Sequence, residues 1–278
     1  MKGCLDELVK TGFRNIELSG GTRFNGDLSE ILTGYRQRYS LNFLVHNYFP
    51  PPEDDFVLNI ASTDEAVRTR SVEFVKTSIE LARRLGSHLY TVHAGYTRNL
   101  SPGTDGRFVV DRSDGTGSGE AEGIMLRSMA EIERYAAGCD VRVGVENLFP
   151  VEEAQDVSLM CTPTQILGFL DSEAGRNTGL LLDLAHLEIS SKILCFDRDG
   201  LVGALRLGYR DSIVGLHLSG NDGRSDLHGL LQPGSWQLEA AASLWSAGLP
   251  VTIECRAVGG DKAFEQYRMV KDCLEGSG

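Results

Sequence analysis

The sequence predicts one α/β domain over residues 1–278, a (β/α)8-type barrel of parallel strands in which the first strand is lacking or truncated. Two observations predict this fold. Seven short apolar runs alternate with longer amphipathic segments, and several runs are apolar at nearly every position, as is expected for strands that helices cover on both faces. The length of 278 residues also fits one barrel, which typically needs about 250 residues.

The predicted strands are spread along the whole chain. They lie in the apolar runs 15–18, 42–46, 88–93, 141–147, 179–186, 212–218 and 250–255, and the fifth strand is expected to end at Asp183. Sustained alternation of strands and helices favours right-handed crossovers and a parallel sheet. Because a barrel of this kind has eight strands and the chain opens on a helix-like segment over residues 2–11, we expect either that the first strand is missing or that the barrel closes with seven.

Three of the intervening helices have recognisable ends. Residues 64–86 carry apolar side chains at helical spacing and end in Arg-Arg-Leu-Gly, a helix stop. Residues 162–171 open with a threonine N-cap and a proline at the first helical position. The last helix is expected over residues 261–274.

Composition and charge limit the partners that we expect. The formal net charge of −12 repels nucleic acids and acidic membranes, and no apolar run approaches the roughly 18 residues of a membrane span. The first residues contain no apolar stretch typical of a secretory signal. The six cysteines are scattered without a C-x-x-C pair, which favours reduced thiols in a cytoplasmic protein.

Polar side chains recur where the predicted strands end, and these ends form the active-site face of a parallel barrel. The residues concerned are His46, His93, Glu146, Asp183, His186, His217, Asp226, His228 and Glu254. A single histidine here is more often a hydrogen-bonded structural residue, and a single carboxylate often caps a helix. Carboxylates buried this closely would repel each other without a cation. The set therefore predicts a divalent metal (Mn, Co, Zn, Fe or Mg), with an ordinary polar network as the alternative.

The ordered short motifs along the chain resemble those of the xylose isomerase-like TIM barrel family, which includes sugar phosphate isomerases and epimerases, inosose dehydratase-type enzymes and the apurinic endonuclease IV group. The resemblance spans residues 2–275. Its motifs are GFRNIELS, NYFPPP, NIAS, TVHAG, VGVENL, LLDLAH, GLHLSGNDGRSDLHG and VTIEC. Each motif is short, and their order and spacing together carry the resemblance.

The resemblance implies two possible ligand sets. In isomerases and epimerases of the family one metal is held by a Glu, an Asp, a His and a second Glu, which match Glu146, Asp183, His217 and Glu254. In the endonuclease group nine ligands hold three zinc ions. The additional positions that match this larger set are His46, His93, His186, Asp226 and His228.

The first functional hypothesis is a metal-dependent isomerase or epimerase that acts on a sugar, polyol or keto acid through an enediolate. Glu146 and Glu254 would exchange the proton as acid and base. The candidate substrate-binding residues are His186, Arg256, His46, His93 and Tyr48, with Phe149 as a further stacking ring. For Arg256 an ion pair with a strand-end carboxylate is an equally simple explanation.

Three alternatives stay open. A zinc phosphodiesterase on abasic DNA needs a basic face, whereas the predicted loops are acidic, as at residues 53–55. A dehydratase on a cyclic polyol would use the same enolate chemistry, and a non-catalytic binding protein could use the same fold. The expected partners are a small carbohydrate-like substrate and a second copy of the chain in a homo-oligomer.

Overall fold

The computed structural model describes residues 1–102, 108–111, 117–151, 154–256 and 258–276. Nine strands run β1 Asn15–Leu18, β2 Asn42–His46, β3 Leu89–His93, β4 Leu100–Pro102, β5 Phe108–Val110, β6 Arg142–Glu146, β7 Leu180–Asp183, β8 Ile213–Leu218 and β9 Val251–Ile253 within that part of the chain. Its α-helices are α1 Lys2–Thr11, α2 Leu28–Tyr39, α3 Glu65–Arg84, α4 Ser118–Ala137, α5 Pro163–Asp171, α6 Glu173–Asn177, α7 Leu184–Leu194, α8 Arg198–Gly208, α9 Trp236–Leu244 and α10 Gly260–Glu275.

Seven of the strands form one parallel sheet in the order β1-β2-β3-β6-β7-β8-β9, so the prediction of a seven-stranded, nearly closed barrel is confirmed. The edge strands β1 and β9 lie close to each other: the hydroxyl of Thr252 in β9 donates a hydrogen bond to Glu17 Oε2 in β1 over 3.0 Å. Strands β4 and β5 form a separate antiparallel pair. This pair lies between β3 and α4 and is additional to the seven predicted strands.

The strands are buried because side chains inside the barrel and under the helices cover both of their faces. Every residue of β7 and β8 is buried, and one continuous core joins strand residues such as Val143 and Leu216 to helix residues such as Ile79 and Met129. The apolar runs of the sequence therefore correspond to doubly covered strands.

Helix capping follows the sequence closely. Asp64 caps α3 by accepting hydrogen bonds from the amides of Ala66 and Val67, and Thr162 forms a capping box with Gln165 at the start of α5. Among the described helices, none has the length and apolar character needed to cross a membrane.

The apolar run 179–186 contains the end of a strand and the start of a helix. Strand β7 ends at Asp183, as expected, and α7 begins at Leu184. The Asp183 carboxylate accepts a hydrogen bond from the amide of His186 over 2.7 Å, which caps the new helix. Leu184 and Ala185 are therefore buried helix residues, and His186 lies in the first turn of α7.

Candidate metal centre

The polar strand ends meet inside the mouth of the barrel. Glu146 and Asp183 are the last residues of β6 and β7, and Glu254 directly follows β9. Neighbouring ends are in register, with His93 opposite Glu146 and Asp183 opposite His217. Parallel register places these side chains at one level of the barrel, so the predicted residues converge as expected.

Four of them surround a common space. The Nδ1 atom of His217 lies 3.2 Å from Glu254 Oε2, 3.7 Å from Glu146 Oε1 and 4.0 Å from Asp183 Oδ2. The side chains of Glu146, Asp183 and His217 are 1% exposed, and that of Glu254 is 16% exposed. One imidazole nitrogen and three carboxylates thus face each other out of bulk water.

Two histidines flank the other oxygen of Glu146. The Nε2 atoms of His46 and His93 lie 3.3 Å and 3.2 Å from Glu146 Oε2. The Nδ1 of His46 lies 2.9 Å from the hydroxyl of Thr91. The Glu146 carboxylate therefore stands between this pair and the group around His217.

A third group lies beside α7. His228 Nε2 is 2.6 Å and His186 Nε2 is 3.9 Å from Asp226 Oδ2. The Nδ1 atom of His186 lies 2.9 Å from the Asn147 carbonyl oxygen, and that of His228 lies 3.0 Å from the Glu254 carbonyl oxygen. Because a carbonyl oxygen only accepts, Nδ1 carries the proton in both rings, and in a neutral ring Nε2 then offers its lone pair.

The carboxylates differ in their electrostatic state. Burial, with the charges of Glu146 and Glu254, raises the pKa of Asp183 to about 7. Burial alone would also raise the pKa of Glu254, but the contact with His217 outweighs it and lowers the pKa to about 2. For Glu146 the desolvation cost is outweighed by His93 and His46, and its pKa lies well below the usual range.

The pKa values of the buried histidines shift in two directions. Burial would lower the pKa of His217 and His186, but the facing carboxylates raise it well above 6.5 in both rings, chiefly Glu17 and Glu254 for His217 and Asp183 for His186. Burial dominates at His46, whose pKa is lowered. In the metal-free protein, the positive charges of the protonated rings thus offset the negative charges of the clustered carboxylates.

The residues present fit a divalent ion. Asp183 Oδ2 and Asp226 Oδ1 are buried and make no hydrogen bond among the described residues. The buried Glu146 Oε2 has two histidine nitrogens at ion-pair distance but no formed hydrogen bond. Such a state is costly, and a cation relieves it. Several sets of three ligand atoms lie within 4.8 Å of one another, namely Glu17/His46/His217, His46/His93/Glu146, Glu146/Asp183/His186 and Asp183/His217/Glu254. Mixed imidazole and carboxylate donors suit zinc, manganese, cobalt or iron.

Comparison with known proteins agrees with the architecture. The family model described as xylose isomerase-like TIM barrel matches residues 5–242. The chain belongs to this family. An uncharacterized protein of Methanocaldococcus jannaschii is 24% identical over 241 residues, covering 86% of this chain and 72% of that protein.

Two solved structures share the fold of this chain. A D-tagatose 3-epimerase-like protein superposes with a TM-score of 0.76 at 22% identity, covering 100% of this chain and 94% of the other. The D-psicose 3-epimerase of Clostridium cellulolyticum H10, solved with D-tagatose, gives a TM-score of 0.64 at 15% identity and covers 99% and 90%.

The remaining candidates fall at different distances from the centre. The ring of Phe149 lies 4.8 Å from that of His186, so this stacking candidate is at the site. Arg256 is exposed, and its backbone amide donates to the His228 carbonyl over 2.9 Å.

Tyr48 was expected to bind substrate, and the structure does not place it there. Its ring stacks 5.4 Å from that of Phe74 on α3, and its hydroxyl bonds the backbone of Phe56. The ring therefore packs toward the helix layer, because Phe56 and Phe74 offer it an apolar surface there.

Two residues of this xylose isomerase-like centre were missed by the sequence reasoning. Glu17 in β1 lies 2.9 Å from His217 Nε2, and Asn147 bonds the main chain of Asp183. Glu17 left one signal, because it is the charged residue within an otherwise strand-like NIEL run. For Asn147 the sequence offered one indication, its position directly after Glu146.

Proposed function

We propose that this chain is a metal-dependent isomerase or epimerase of a sugar or a related polyol or keto acid. One observation carries the proposal: the carboxylates of the buried Glu146 and the part-exposed Glu254 approach the same nitrogen of His217 from the ends of different strands. Strands β7 and β8 separate β6 from β9 in the sheet, so the two carboxylates reach the central space from different sides. The epimerase character of two structural neighbours agrees with this reaction class.

Glu146, Asp183, His217 and Glu254 would hold the ion. When bound, the ion supplies Lewis-acid polarisation of a substrate carbonyl and an adjacent hydroxyl, which acidifies the C–H bond between them. One glutamate removes this proton and the other returns it, on the same face or the opposite face of the resulting enediolate. Their lowered pKa values keep both carboxylates ionised at neutral pH and hence able to accept a proton.

Other residues of the mouth would orient the substrate. His186 carries a raised pKa and so can donate a hydrogen bond to a substrate oxygen, with the ring of Phe149 packed beside it. His93 is part-exposed and reaches the opening from the other side of Glu146. Arg256 is exposed near His228, where it can meet the distal end of a substrate.

Exchange of a carbon-bound hydrogen with solvent tests the proposal. The metal-loaded protein is incubated in D₂O with a panel of ketoses, inososes and hydroxy-keto acids, and deuterium incorporation is followed by NMR. We expect a stereoisomer or positional isomer that carries deuterium at one carbon. Glu146→Gln and Glu254→Gln should each reduce the exchange rate by about 10²- to 10⁴-fold.

The matched control is Glu239→Gln, since Glu239 is an exposed carboxylate on α9. It should exchange at the wild-type rate. Incorporation that survives in both active-site variants would refute the acid/base pair, and a metal-loaded wild type inert toward the whole panel would refute the reaction class. Loss of water from an inosose without isomerisation would assign the dehydratase chemistry instead.

A second candidate is a zinc phosphodiesterase that acts on abasic DNA. The observation that favours it is the completeness of the three ligand groups, since His186, Asp226 and His228 form a cluster of their own next to the central four. A net charge of −12 opposes binding of a polyanion. Three equivalents of zinc per chain, with cleavage of abasic duplex DNA, would favour this function over the first.

A further inference from the structure

A buried carboxylate lies beneath the predicted ligands and none of the steps above uses it. Glu17 in β1 has a side chain that is 7% exposed, and its Oε1 lies 2.9 Å from His217 Nε2. Its other oxygen accepts a hydrogen bond from the Thr252 hydroxyl in β9 over 3.0 Å. Glu17 is thus anchored to the last strand by one hydrogen bond and lies at ion-pair distance from the buried histidine.

The two nitrogens of His217 face different groups. Nδ1 faces Glu254 Oε2 at 3.2 Å together with Glu146 and Asp183, whereas Nε2 faces Glu17. A neutral imidazole carries its proton on one nitrogen only, and the partner of that nitrogen decides which one. An acceptor at Nε2 leaves the lone pair of Nδ1 directed into the central space.

Glu17 also differs from the acceptors beside the other rings. The Nδ1 atoms of His186 and His228 meet backbone carbonyls and that of His46 meets the hydroxyl of Thr91, all neutral groups, although His186 Nδ1 also lies 3.2 Å from Glu146 Oε1. A carboxylate makes its histidine a stronger electron donor to a metal than a neutral acceptor does. His217 has such a charged partner, Glu17, at the nitrogen that faces away from the central space.

We propose that Glu17 is a positioning residue that holds the Nε2 proton of His217, so that Nδ1 binds the metal and binds it tightly. This rests on the proposed metal-dependent function. Glu17 could instead bind an ion directly with His46 and His217, whose ligand atoms lie within 4.8 Å of it. That arrangement would need the lone pair of His217 on Nε2, so the two roles predict opposite protonation of the same ring.

Two substitutions separate the contributions of shape and charge. Glu17→Gln keeps an oxygen that can accept from Nε2 but removes the charge, and Glu17→Leu removes both. Zinc affinity is measured by competition with a chromophoric chelator. We expect the affinity to fall about 10- to 100-fold in Glu17→Leu and by less in Glu17→Gln, with an unchanged number of ions per chain at saturation.

The protonation of the ring is read directly by NMR on zinc-loaded protein labelled with ¹⁵N-histidine. The wild type should show a slowly exchanging Nε2–H signal that disappears in His217→Asn. In Glu17→Leu this signal should exchange rapidly or shift. The control is Glu188→Gln, another buried carboxylate, whose partners Arg198 and Lys192 lie outside the centre, and it should leave affinity and signal unchanged.

The outcomes are distinct. Wild-type zinc affinity in Glu17→Leu, or a His217 Nε2 that carries no proton, overturns the proposal. Loss of one ion per chain in Glu17→Gln also overturns it and makes Glu17 a ligand. A wild type that binds zinc and responds to Glu17 but turns over no sugar leaves this inference standing and refutes only the isomerase function. A wild type that binds no ion overturns both.

Discussion

The side chain of Asn147 pairs with the main chain of Asp183 as if it were an extra residue of the sheet. Its amide nitrogen donates to the Asp183 carbonyl over 2.9 Å, and its oxygen accepts from the Asp183 amide over 2.8 Å. The Asn147 carbonyl also lies 2.9 Å from His186 Nδ1. One residue thereby fixes both a predicted ligand and a substrate-binding candidate.

We expect Asn147→Ala to lower the free energy of unfolding by about 1–3 kcal/mol, because it leaves a buried amide and carbonyl of Asp183 unpaired. Metal affinity should fall as well, since Asp183 loses its fixed orientation. Urea unfolding and chelator competition measure the two effects. Asn42→Ala is the control, since the exposed side chain of Asn42 donates a hydrogen bond to that of Asn15 at the surface, and an equal loss there would contradict the prediction.

Metal removal should destabilise the protein, because the buried carboxylates then face each other without a cation. An ion present at about 1,000 times its dissociation constant adds about 4 kcal/mol to the folded state. We expect chelation to lower the unfolding temperature of the wild type and to leave that of Asp183→Asn nearly unchanged. Calorimetry with and without chelator measures this, and equal shifts in both proteins would contradict a role of Asp183 in ion binding.

Gly144 lies in β6, two residues before Glu146, where a larger residue would not fit. A Cβ atom there would lie 2.6 Å from Val214 Cγ2 and 3.0 Å from Thr91 Cγ2. We expect Gly144→Ala to cost about 1–3 kcal/mol of stability through overpacking. Gly168→Ala in α5 is the control: no described heavy atom lies within 4 Å of its added Cβ, and it should raise stability by about 1 kcal/mol.

Glu131 on α4 forms ion pairs with α3. These pairs make the free energy of unfolding depend on pH in a direction that follows from the pKa of Glu131. The hydrogen bond from Lys76 outweighs the burial effect and lowers the pKa of Glu131. A lowered folded pKa stabilises the protein above the unfolded pKa near 4.5 and loses this effect as the pH falls through the folded value. Because the Glu131 side chain is 40% exposed, we expect no more than about 0.5 kcal/mol.

Urea unfolding of Glu131→Gln against the wild type measures this contribution. The difference should be present at pH 7, decrease below pH 4.5 and decrease in high salt. Glu120→Gln on the same helix is the control, since Glu120 is exposed. A Glu131 difference that grows on acidification would refute the assigned sign.

The sequence predicted the strands and their polar ends well, because strands buried on both faces read as continuous apolar runs. Apolar character alone does not distinguish strand from helix: Leu184 and Ala185 extend the apolar run of β7, yet they belong to the helix that Asp183 caps, and the polar Asp183 is what marks the end of the strand. The sequence reasoning misplaced Tyr48, since proximity to His46 in the chain says nothing about which side of the strand layer a ring takes.

The partnership of Glu17 and His217 was beyond the sequence for a different reason. The two residues lie far apart in the sequence, and they meet only because the barrel nearly closes. A strand pattern predicts the order of strands but not the distance left between the first and the last. Glu17 was therefore recognisable in the sequence as a charged residue in a strand, but its partner could not be predicted.

The hydrogen bond between Thr252 and Glu17 joins residues 235 positions apart. Contacts between such distant segments form only after a large loss of chain entropy. A sheet that had assembled from β2 to β8 alone would already hold Glu146, Asp183 and His217, yet it would lack both Glu254 and the partner of His217 Nε2. Tight ion binding is therefore expected only after β1 and β9 have both joined the sheet, so the onset of metal binding reports a late step of folding.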